Sequence, residues 1–473
     1  MRIMKKHLLS LFAALTPLLA SAQTEINDIW YNLDADTKQA EVTSGGLYSG
    51  SITIPATVTY EGESYSVTGI GDKAFYDCSG LTTIDIPEGV TTIGGFAFKN
   101  CRNLTAINIP ENSQLMSIGV SAFYGCGGLT VINIPEGVTS IEDGTFEKCY
   151  GLASINIPES VTSIKNGAFR DCCGLTTIDI PEGVTSIERS AFHGCWLTAI
   201  NIPENSQLKN IGEGAFYQCR NLTAITIPEN VTSIGESAFL ECHSLTTFTI
   251  SENSQLKSIG KNAFEWCSNL TAVHISDIAD WCKIKFWGSC VSNPLYFAKN
   301  LYLKGELVTE LTFPEGVTSI GDFAFYGYNH ITSITIPEGV TDIGFMPFAY
   351  CKNLTTITLP ASVEKIGKKA FYECSSISDV YNYAEKLPSV DEYIFSNTNI
   401  SWNATLHVPA SALETYKVCS PWSSFANIVV LGTGVGKMTN DNNQMEIYDL
   451  SGRRVEKAEE GIYIVNGRKT VIK

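Results

Sequence analysis

The chain has 473 residues, only 17% of them charged, with 49 acidic against 32 basic groups and a net charge of −17. That balance excludes unaided binding to nucleic acid or anionic lipid, both of which need clustered Lys and Arg. The length alone suggests about three domains, but a strict internal period overrides it.

Residues 1–22 read as a secretory signal peptide. Arg2, Lys5 and Lys6 make a positive start, Leu8 to Ala20 is an apolar run, and Ala20-Ser21-Ala22 is a small-residue cleavage site. No other stretch approaches the roughly 18 apolar residues of a membrane span. An exported protein with no integral membrane segment after signal removal is expected, at the cell surface, outside the cell or in the periplasm. Residues 23–69 carry hairpin signals, among them the turns Asp34-Ala35-Asp36-Thr37 and Tyr60-Glu61-Gly62-Glu63. They read as an N-terminal β cap, which a stacked array needs to cover its first open edge.

From residue 70 onward one unit recurs: Ile-Pro-Glu, Val-Thr-Ser-Ile, Ala-Phe, Cys, then Leu-Thr. Its phenylalanines run from Phe75, Phe98 and Phe123 to Phe371, mostly 23 residues apart. A fixed period of this size marks a stacked solenoid. Within one unit Ile84 and Ile86 face inward from a short strand, Pro87 ends it, Val90 and Ile93 point inward again, and a short helical turn carries Ala97, Phe98 and Cys101. Eleven of the fifteen cysteines follow a marker Phe by three residues. A residue locked to the period fills one buried slot per rung, so a column of free thiols is expected in preference to disulfides. Three turns read Glu-Asn-Ser-Gln-Leu (111–115, 204–208, 252–256), where Leu replaces Val as the inward group.

The repeats span 70–430, with an insert at about 276–312 and a closing cap at about 379–430. The insert is dense in aromatics, including Trp281, Phe286 and Trp287. It reads either as an enlarged packed rung or as a projecting binding loop. Residues 431–444 read as a linker, and 445–473 as a small C-terminal β module.

The unit Ile-Pro-Glu-Gly-Val-Thr-Ser-Ile-Gly…Ala-Phe…Cys…Leu-Thr-x-Ile resembles the BspA-like class of leucine-rich repeat. The resemblance implies a mainly β, right-handed, curved solenoid with the strand on its concave face. It also implies a bacterial exported or surface protein of the adhesin kind. The tail Ile447-Tyr448-Asp449-Leu450-Ser451-Gly452, with Gly461-Ile462-Tyr463-Ile464-Val465, resembles sorting segments of type IX secretion cargo.

No catalytic, cofactor or metal pattern stands out. Gly432 to Met438 fails as a phosphate loop, because Leu431 sits where its first Gly is needed and Met438 replaces the magnesium-holding Ser or Thr. The histidines are scattered and no Gly-x-Ser-x-Gly is present. A non-catalytic binding protein is therefore expected, its partner a host or bacterial-surface protein or, alternatively, a glycan. The candidate surface is the outward side of the strand: Thr83, Asp85, Asn108, Asn133, Asn156, Thr177, Asp179, Asn201, Thr226, Thr249 and His274, with Trp281 and Trp287 from the insert.

Overall fold

The computed structural model describes residues 23–391, 393–431, 447–448, 461–465 and 468–472. The signal reading at 1–22 and nearly all of the linker reading fall outside them. The chain winds as a β-solenoid in which each rung contributes two short strands to two parallel ladders. The first ladder takes the strand before the Pro-Glu turn, for example Gly80–Asp85, Ala106–Asn108 and Val131–Asn133. The second takes two residues from each Val-Thr-Ser-Ile segment, running from Ser140–Ile141 through Ser163–Ile164 and Ser186–Ile187. Its inward isoleucine was expected but its strand was not.

A rung buries nearly its whole apolar set. Leu175, Ile178, Ile180, Val184, Ile187, Ala191, Phe192 and Cys195 are each at most 2% exposed. Each larger apolar side chain contributes about 1.5–3 kcal/mol on burial, but only when neighbouring rungs cover both sides. The marker phenylalanines form a stack from Phe75 to Phe264 with ring centroids 5.0–5.5 Å apart and planes within 17° of parallel. The stack resumes at Phe325, Phe348 and Phe371 and gains one further member, Phe395.

The cysteine column does more than fill space. The Cys101 thiol donates to the Phe75 carbonyl at 3.0 Å, and the same bond recurs up the array to Cys374 and Phe348 at 3.1 Å. Most marker Phe residues give their N–H to the carbonyl before the marker Phe of the following rung, as Phe98 does to Ala122 at 2.7 Å and Phe123 to Thr145 at 2.9 Å. The Phe carbonyl already accepts the N–H of the Cys three residues on, as Phe75 does from Cys78 at 3.2 Å, and the thiol of the next rung adds a second donor for its other lone pair. All fifteen cysteines are free. Tyr328, in the cysteine slot of the rung after the insert, instead donates its hydroxyl to the Val308 carbonyl.

The segment carrying Ala97 and Phe98 is a pair of tight turns instead of a helical turn. Phe96 and Asn100 take φ values of 57° and 63°, a left-handed conformation that ends any helix. The Glu-Asn-Ser-Gln-Leu turns bury Leu115, Leu208 and Leu256 as expected, and in each the Ser hydroxyl accepts the Leu N–H at 3.2 Å.

At the N-terminus, Gln23–Ile26, Ile29–Asp34 and Gln39–Val42 form an antiparallel meander. Thr57–Tyr60 and Glu63–Ile70 form a hairpin whose second strand starts the second ladder. Glu61 and Gly62 both have positive φ at its turn, the pattern that suits a two-residue hairpin. At the other end Thr405–Val408 and Asn427–Val430 extend the first ladder over a helix at Leu413–Val418. Ile447–Tyr448, Gly461–Val465 and Arg468–Ile472 make a three-stranded antiparallel sheet.

Candidate functional site

The first ladder sets the outward positions in register. Asp85 lies beside Asn108, Asn133 beside Asn156, Asp179 beside Asn201, and Thr226, Thr249 and His274 follow one another. Asn108, Asn133, Asn156, Thr177, Asp179, Asn201 and Thr226 are exposed, whereas Thr83, Asp85, Thr249 and His274 are half-buried. Alternation puts these residues on one face because successive strand side chains point to opposite sides. Neighbours bond along the row: Asn108 donates to Asp85 and Asn201 to Asp179, each at 2.6 Å. Those from Asn108 and Thr53 hold the Asp85 carboxyl below its ordinary range. The result is an extended, almost uncharged strip on an acidic protein.

The strip runs further than the sequence reading took it. His274 stacks on Tyr302 at 4.7 Å, and beyond the insert Tyr381 stacks on His407 at 4.3 Å, with His407 Nε2 3.0 Å from Asp379 Oδ1. Counting 23 residues on from Thr358 would have reached Tyr381.

The two insert tryptophans part company. Trp281 is 1% exposed and donates its indole N–H to the Ala324 carbonyl at 2.9 Å, so it cannot meet a partner. Its helix, Ile278–Lys283, replaces the Pro-Glu-Gly-Val turn and is capped by Asp277. Asn293 donates to the Phe323 and Ala324 carbonyls at 2.9 and 3.2 Å. The insert is thus an enlarged packed rung. Lys285–Phe286 joins the second ladder and Leu301–Leu303 the first. Trp287 is half exposed, with the Lys285 ammonium 3.6 Å from its ring centroid.

Among the described residues no three His, Cys, Asp or Glu side chains are placed to hold a metal ion, and no helix is long and apolar enough to cross a membrane. The ladder thiols are poor nucleophiles, since burial pushes Cys267 and Cys351 up to about 12.

A family model described as the BspA type leucine rich repeat region, in six copies, matches residues 68–197, 186–290 and 296–416. The chain belongs to this family. A leucine-rich repeat protein from Bacteroides ovatus is 27% identical, with a TM-score of 0.51, and the match covers 86% of this chain and 99% of that one. A leucine rich cell surface protein from Faecalibacterium prausnitzii is 25% identical over 87% of this chain and 95% of its own, with a TM-score of 0.41. No curated protein matches the chain. BspA-type repeats thus account for both ladders, the phenylalanine stack and the thiol column.

Proposed function

We propose that this BspA-type repeat protein is an exported, non-catalytic bacterial surface protein that adheres to another protein through the outward face of its first ladder. The observation that carries this reading is the strip itself: small polar side chains held in register rung after rung, on a rigid array. Solenoids use such extended faces for binding, and a pre-ordered surface loses little entropy on docking. The export half of the reading rests on the charged start, apolar run and small-residue site within 1–22, and on the tail's resemblance to type IX sorting segments.

Surface-immobilised protein should bind at least one component of a panel of purified matrix, epithelial and bacterial-surface proteins. Asn133→Arg combined with Asn156→Arg and Thr177→Arg should weaken that binding by about an order of magnitude or more, leaving the unfolding midpoint unchanged. Binding by the triple variant at wild-type strength would remove the strand face from the mechanism. For export, protease shaving of intact cells should degrade the full chain and spare a chain lacking 445–473; equal protection of both would count against a sorting tail.

A further inference from the structure

A cleft of about 490 Å3 opens on the second ladder, in the rungs that follow the insert. Its size falls within the range of about 300–1,000 Å3 typical of ligand pockets. Gly321, Gly344 and Gly367, each following a ladder isoleucine, line its floor. Packing demands glycine there. A Cβ on Gly344 would lie 2.5 Å from Asp322 Oδ1, and one on Gly367 would lie 2.3 Å from the Gly344 carbonyl oxygen. The floor is therefore bare backbone, and the next slot of each rung decides what rims it.

That slot holds Asp322, Phe345 and Lys368. In the earlier rungs it runs from Gly95 and Val120 through Asp143, Arg189 and Glu236 to Lys261, with no aromatic. Phe345 is fixed in place: its N–H donates to Asp322 Oδ1 at 2.7 Å, and its ring packs edge-to-face on Phe323 at 5.2 Å. It remains half-buried, with part of the ring turned to the cleft. The acids are already engaged, Asp322 by that backbone bond and Asp342 by Lys365 at 3.2 Å. Lys368 is exposed and has no carboxylate within 4.0 Å among the described residues; its ammonium lies 5.0 Å from the Tyr393 ring centroid. A lysine ammonium over an aromatic ring recurs along the chain, at Lys99, Lys148, Lys285, Lys299 and Lys369; what sets Lys368 apart is that it lines the cleft beside Phe345.

We propose that this cleft binds the carboxylate-bearing sugar of an acidic glycan. The Phe345 ring would take the apolar face of a pyranose and Lys368 its carboxylate, through a charge-assisted bond. The bare backbone and the Ser319 hydroxyl would meet the ring hydroxyls. This site goes beyond the strand-face reading and lies on the other ladder, so the two tests fail independently.

Titration calorimetry of the full chain with trigalacturonic acid and 3′-sialyllactose, against neutral maltotriose and lactose, tests it. At least one acidic sugar should bind about tenfold or more tightly than its neutral counterpart. Lys368→Gln should reduce that binding about tenfold with an unchanged unfolding midpoint; Phe345→Ala should reduce it as much in a chain that still folds, at some cost in midpoint because its ring packs on Phe323. Silence from both acidic sugars at millimolar concentration would overturn the proposal. So would equal binding of the neutral sugars, or wild-type binding by both variants.

Discussion

Phe169→Ala should lower stability by about 3–5 kcal/mol, the range for emptying a large aromatic from a packed core. Phe169 is fully buried between Phe146 and Phe192, with centroids at 5.3 and 5.2 Å. Alanine keeps the backbone bonds of the slot, so the loss isolates the ring. It removes two ring–ring contacts and opens a void that neither neighbour can fill, since each is held by its own rung. Because rungs touch only their neighbours, the damage should be local. Denaturant unfolding should shift to a lower midpoint, and amide exchange should accelerate first in the rungs around 146–192 while those around Phe348 and Phe371 stay protected. Uniform loss of protection along the chain would refute the nearest-neighbour picture. As a control, Trp287→Ala lies on the surface and should change stability by no more than about 0.5 kcal/mol.

The parts legible in the sequence are those that repeat with a side-chain identity. Phe169, Cys172 and Ile178 each recur one period away, so their burial in one slot follows from translation along the array. The Asn-Ser-Gln-Leu turns were legible for the same reason. The second ladder was not. Its strands are two residues long, as at Ser163–Ile164, too short for any alternation to show. The turn after Ile93 read as helical because Ala-Phe-x-x-Cys has helix-like spacing, whereas Phe96 and Asn100 adopt left-handed backbone that no glycine announces.

The insert shows the limit from another side. Aromatic density there signalled burial or binding without deciding between them. What decides Trp281 is the carbonyl of Ala324, a partner 43 residues away. The cleft was hidden in the same manner. Gly321, Gly344 and Gly367 are ordinary members of the period, and only Phe345 in the following slot departs from it. A departure inside one slot is weaker than a repeat, yet it is where a regular scaffold can carry specificity.

The thiol column should make the protein steeply sensitive to alkali. Burial raises these seven ladder cysteines: Cys267 and Cys351 to about 12, and Cys149, Cys172, Cys219, Cys242 and Cys374 likewise upward. An unfolded thiol ionises near pH 8.5–9, so folding favours the protonated form. The stabilisation from each slot is complete below that value and is lost as the pH climbs from about 9 towards 12. Unfolding midpoints should therefore fall sharply over that window. Serine at Cys149, Cys172 and Cys219 together keeps a donor for the Phe carbonyls but does not titrate there, and should flatten the fall. An unchanged slope in the triple variant would show that the buried tyrosines, such as Tyr31 at about 12, carry the effect instead. Alkylation gives the matching kinetic result. A thiol held at about 12 carries roughly a thousandfold less thiolate at neutral pH than a free one. Native protein should be labelled at half-exposed Cys173, Cys290 and Cys419, with the twelve buried thiols reacting only after denaturation. Rapid native labelling of Cys172 or Cys242 would mean that neighbouring rungs part far more readily than their packing allows.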